Sequence, residues 1–221
     1  MTQAHVYQCL PPEPADAILE RVLAFRGQYD QYARPDDVNT LLTFFPQVRL
    51  EEGYLLDYVL DSDAEGVQRI VPFARRRGSD GAPDEPPPGN AAAAAALPLE
   101  PWLHYEHTPQ GLFEYAFFLS ELRATRASWH AAEWLASTPI FTEARFDTTL
   151  ARLAPPQELK RPAWFGPQAE LAAAGGWVRF LVYTETGWER IYFLEIEVDE
   201  EGRIDQQAGM VVADFGLGML F

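Results

Sequence analysis

The chain contains one cysteine, Cys9, in 221 residues. No intramolecular disulfide can form, and no thiolate cage for a metal can be built within one copy. A reducing compartment follows, and the expectation is a cytoplasmic protein. Also lacking is any unbroken apolar run of about 18 residues, the length a membrane-spanning helix requires. The amino-terminal segment MTQAHVYQCLPPEPAD has no basic stretch followed by an apolar one, so it does not read as an export signal.

Positive charge is scarce: 17 Lys and Arg stand against 33 Asp and Glu, a formal net charge of −16. The summed field repels phosphate backbones and anionic lipid surfaces, so direct nucleic-acid binding and membrane association are excluded as expectations. The partner such a field favours is a basic protein.

Catalytic signatures are missing as well. There is no G-x-S-x-G elbow, phosphate loop, dinucleotide fingerprint or H-E-x-x-H. Asp214, Phe215 and Gly216 spell the magnesium motif of protein kinases, but five residues remain after Gly216, with no room for an activation segment. The apolar tail from Phe215 to Phe221 is instead expected to close the core or to dock on a partner. The DSDAEG loop from Asp61 to Gly66 lacks the twelve-residue register and terminal Glu of a calcium loop, and Arg75 to Arg77 read as a solvated strand end.

What the sequence does contain is clearest near its end. WVRFLVY, WERIYFLEIEV and RIDQQAGMVV, separated by TETG and DEEG, form an antiparallel β-meander from Trp177 to Val212. Alternation puts Val178, Phe180 and Val182 on one face of the first strand, and Trp188, Tyr192, Leu194, Ile196 and Val198 on one face of the second, with Arg190 the exception. The other face of the second strand carries Glu189, Ile191, Phe193, Glu195 and Glu197, apolar in the middle and acidic towards its ends. These five are the candidate binding residues if no helix covers them.

Upstream, Ala17, Ile18, Val22 and Phe25 predict a helix from about Asp16 to Gly27, and a second helix runs from Pro35 to Pro46. Tyr54–Leu60 and Val67–Ala74 predict a hairpin extending the same sheet. Gly78–Pro98 is low in complexity and cannot bury enough surface to order itself. Thr108 and Pro109 open a helix that is apolar nearly all round from Phe113 to Leu122, resuming at Trp129 to Leu135, and Phe146–Leu153 adds one more. The fold class is α+β, one domain over residues 1–221, with 78–98 a disordered or flexible internal loop.

His104, Glu106 and His107 form the most ligand-like cluster, and His130 with Glu133 could join it. Two imidazoles alone are an incomplete metal site, so structural histidines capping the following helix are the expectation, with no metal and no cofactor. The function expected is a cytosolic, non-catalytic protein-binding protein, such as an inhibitor or immunity-type factor for a basic partner. Its alternative is an enzyme or small-ligand protein, metal-dependent or not, with a pocket between sheet and central helices using His104, His107, His130 and Glu133.

Overall fold

The computed structural model describes residues 7–26, 38–62, 68–76, 99–124, 137–185 and 188–218. Strand β1 (Gln8–Cys9) leads into helix α1 (Pro12–Arg26), followed by the short α2 (Val38–Leu42) and strands β2 (Val48–Leu50), β3 (Tyr54–Ser62) and β4 (Gln68–Arg76). A single 3-10 turn (Glu100–Trp102) precedes β5 (Leu103–Tyr105) and the central helix α3 (Pro109–Ala124). Then come β6 (Ser137–Ile140), α4 (Glu143–Arg152), β7 (Glu158–Leu159), β8 (Gln168–Leu171), β9 (Gly176–Thr184), β10 (Trp188–Val198) and β11 (Ile204–Leu217). This is an α+β fold. The segment 78–98, the second half of the predicted central helix pair, and His130 and Glu133 lie outside the described residues.

Helix α1 begins four residues before Asp16 because Pro12 and Pro14 sit in its first turn, where the backbone N–H groups have no intrahelical acceptor to lose. Its stripe of Ala15, Ile18, Leu19, Val22 and Phe25 is buried. Helix α3 starts as its sequence predicts: the Thr108 hydroxyl accepts the Gly111 N–H at 2.9 Å. Glycine is required at 111, since a Cβ there would stand 2.1 Å from the Glu106 carbonyl oxygen. From Leu112 to Leu119 every residue is buried, as a helix apolar round its circumference demands.

The large sheet is antiparallel throughout, in the order β1-β8-β9-β10-β11-β7. Strand β6 lies along the second half of β9, in line with β8 on the first half. The predicted meander is its centre. The hairpin β3–β4 does not extend it but forms a two-stranded sheet of its own, and β2–β5 forms another. The edges of β9 and β11 where such a hairpin would dock are taken by β8, β6 and β7, three short segments around Pro-rich sequence that alternation alone does not reveal.

One core lies on the face formed by Val178, Phe180, Val182, Ile196 and Val198, against α1 and α3. At its centre Phe113, Phe117, Phe141 and Phe180 touch one another, every ring pair between 5.4 and 6.0 Å. Two acids of α3 are buried here. Glu121 meets Arg26 of α1, and Glu114 accepts the Gln47 N–H at 2.8 Å and the Gln110 amide at 3.0 Å. Burial pushes the Glu114 carboxyl above the ordinary carboxylate range, against those two hydrogen bonds.

A carboxyl whose folded pKa is raised stabilises the fold fully below its unfolded pKa, about 4.3 for glutamate, and loses that contribution as pH rises through the folded value. The stability of the native chain relative to Glu114→Gln should therefore decline as pH rises above that point. Urea unfolding of both proteins across the range measures it, and a difference independent of pH would show that Glu114 titrates normally.

Candidate interaction surface

The second face of the meander is not bare. Ile191 is 0 % and Phe193 5 % exposed. They belong to a second core with Ile140, Phe146, Leu181, Val212 and Ala213, bordered by Leu150, Phe165, Tyr183 and Phe215. The cover is α4 with the segment after β7, not the amino-terminal helices. Thr142 caps α4 by accepting the Arg145 N–H, and the helix turns Phe146 inward. The Arg161 guanidinium lies 5.3 Å over Phe146 and 5.4 Å over Phe165, held by Asp147 and Glu143. Arg145 ties the same helix to Asp16 and Glu20 of α1.

The five sequence candidates are therefore divided. Ile191 and Phe193 are core, so a polar substitution at either would read out as lost stability. Glu189 is half-buried and accepts the Tyr183 hydroxyl at 2.6 Å. Burial and that neighbouring carboxylate push the Tyr183 phenol well above its usual value. Glu195 is half-buried and Glu197 exposed, Glu195 in register with Arg179 and Glu197 with Asp205. Arg179 is committed elsewhere: its guanidinium donates twice to Gln168 and lies 4.2 Å over the Tyr7 ring.

Beyond Glu197 the acidic end continues into the β10–β11 turn. Asp199 Oδ1 accepts the N–H groups of Glu201 and Arg203, while the Arg203 guanidinium bonds Asp199 Oδ2 at 2.8 Å and Glu201 at 2.9 Å. What burial Asp199 has works against ionisation, but these hydrogen bonds prevail and hold its carboxyl below the usual range. Gly202 turns at φ +80°, and its carbonyl accepts the Tyr115 hydroxyl at 2.7 Å. The turn is thereby fastened to α3.

Between this turn and β5 lies an open depression of about 510 Å³. Tyr105 and Tyr115, ring centroids 4.9 Å apart, contribute aromatic surface, and Glu100, Asp199, Glu200 and Glu201 contribute carboxylates. A second hollow of about 460 Å³ shares Glu100 and Asp199 and adds Glu197, Asp205 and Arg203. Six carboxylates thus line the two hollows against one arginine.

His104 and His107 both line the first depression. His104 Nε2 is 2.7 Å from Glu51, and among the described residues no group of three or more His, Cys, Asp or Glu could hold a metal. Neither histidine caps α3, a role taken by Thr108.

Sequence reading missed this acidic end because DEEG reads as turn chemistry and because Glu100 reaches it from a distant part of the chain. Of the apolar tail, Phe215 borders the second core, whereas Leu217 is 66 % exposed beside its register partner Trp188, whose indole N–H donates to Asp214 at 2.7 Å. No helix among the described residues is long and apolar enough to cross a membrane. No protein-family profile matches the chain, and neither a curated protein nor a solved structure is similar to it.

Proposed function

We propose that the chain is a non-catalytic protein-binding protein whose acidic end, around the β10–β11 turn, receives a basic partner. The observation that carries this reading is the pair of adjoining hollows lined by six carboxylates and a single arginine, with two tyrosine rings in the larger. Carboxylates attract lysine and arginine, and aromatic faces accept their cationic heads. Asp199 and Glu201 are spent on holding the turn, which leaves Glu197 and Glu200, both exposed, as the groups to reverse.

Capture from the native host by the intact chain, followed by association kinetics with the captured protein, tests this. The double substitution Glu197→Lys with Glu200→Lys should slow association at least about tenfold while moving stability by no more than about 0.5 kcal/mol. The native on-rate should fall steeply as salt is added. An on-rate indifferent to both changes removes the acidic end from recognition.

A second reading has one observation in its favour: His104 and His107 share the larger depression, as a small-ligand or catalytic pocket would require. It predicts that their alanine variants lose ligand binding, with the protein partner still captured.

A further inference from the structure

Strand β11 runs for 14 residues, and β10 pairs with it along nearly its whole length. Its other side is only partly filled. There β7 faces Ala213 and Asp214, with Lys160 N–H on the Val212 carbonyl and Gln157 N–H on that of Asp214. Before Val212, no strand among the described residues borders this edge. The side chains of Asp205, Gln206, Gln207 and Ala208 are all exposed.

Sheet edges are ordinarily blunted by lysine, proline, a bulge or a covering segment, because unpaired backbone groups template the addition of another strand. The stretch Asp205–Ala208 has no proline and no basic residue, and its register with β10 is regular from Val198 opposite Ile204 to Leu194 opposite Ala208. A bulge, Gly209 and Met210 opposite Phe193, only marks its limit towards β7. The Gln206 N–H is turned to the Asp205 carboxylate at 3.0 Å. Alternate residues of a strand direct their N–H groups to the same side, so that of Ala208 shares this outer side.

We propose that this edge of β11 takes an extended, basic segment of a partner protein as an added strand. Charge selects the occupant. Asp205 shares a sheet face with its register partner Glu197 and with Glu195 on β10, one strand in from the edge. A second copy of the chain would bring the same carboxylates against them in a molecule of formal charge −16. A guest strand with lysine or arginine at every second position places those side chains over the three acids, while its backbone pairs with β11. The intervening positions meet Gln206 and Ala208 and need no charge.

This inference rests on the basic-partner reading and specifies how that partner is held. The probe is a labelled peptide of about ten residues alternating lysine and valine, beside the same sequence N-methylated at every second residue, which keeps the charge and removes strand pairing. With the intact chain, the unmodified peptide should bind at least about tenfold more tightly, the worth of one to two backbone hydrogen bonds. Amide hydrogens of Gln206 and Ala208 should gain protection from exchange in its presence. Ala208→Pro should weaken binding to the same extent while circular dichroism stays native.

Equal affinity for the two peptides would overturn strand addition and leave the acidic docking of a basic partner standing. Binding of neither would overturn both. A chain that is dimeric until Ala208→Pro is introduced would place a second copy on the edge, and that outcome too overturns the proposal.

Discussion

Glu121→Ala should destabilise the protein by about 3–5 kcal/mol, the cost of leaving a buried charge without its partner. Glu121 on α3 receives the Arg26 guanidinium of α1 through Nη2 at 2.5 Å and Nε at 3.1 Å, and both side chains are 7 % exposed. Removing the carboxylate takes two charge-assisted hydrogen bonds from the buried guanidinium and leaves its 3.5 Å bond to the Ser137 carbonyl oxygen. Domains are stable by about 5–15 kcal/mol, so the variant would be marginal.

Replacing both partners, Arg26→Met with Glu121→Leu, should be milder than either single change, because no charge then remains to desolvate. Urea unfolding of the four proteins in a double-mutant cycle gives the coupling directly. A loss below about 1 kcal/mol for Glu121→Ala would mean that water reaches the pair and that it belongs with the ordinary surface ion pairs.

Phe117→Ala should cost about 3–5 kcal/mol through the transfer and cavity terms of a large buried ring. Phe117 is fully buried, and its ring lies 5.4 Å from Phe141, 5.7 Å from both Phe113 and Phe180, and 5.5 Å from Phe45. Three of these contacts are edge-on or close to it, the geometry in which aromatic pairs add about 0.5–1.5 kcal/mol beyond area burial. Phe117→Leu keeps most of the volume and should lose markedly less. Thermal or urea unfolding of both variants separates cavity from ring geometry, and equal losses for Leu and Ala would assign the effect to ring contacts alone.

Much of this fold is legible in the sequence because its longest elements are periodic. The meander follows from the alternation between Trp177 and Val198, broken at Arg190, and the start of α3 from the Thr108–Pro109 pair. The elements that escape are too short to show a period. Strands β7 and β8 are two and four residues long, and only tertiary pairing defines them. Strand β6 carries Pro139 within four residues, which reads as a breaker until its place along β9 is seen.

The candidate surface was half legible for a similar reason. Glu195 and Glu197 stand out by alternation, but whether Ile191 and Phe193 were covered depended on α4, whose buried face is little more than Phe146. A helix with one strong anchor does not say which sheet face it will cross. The carboxylates of the acidic end come from the 3-10 turn, the end of β10, the connecting turn and the start of β11, and no local pattern joins Glu100 to the other three sources.

The pairing of β1 with β8 carries a consequence for how the protein reaches this structure. Gln8 and Cys9 find Ala169 and Gln168 about 160 residues away, whereas β9 pairs with β10 and β10 with β11 across short connections. Loop closure penalises the distant partners long before contact rewards them. The meander can therefore assemble from neighbouring sequence alone, and the strand that seals its far side must wait for most of the chain to collapse. During synthesis β1 therefore emerges about 160 residues ahead of the strand it pairs with.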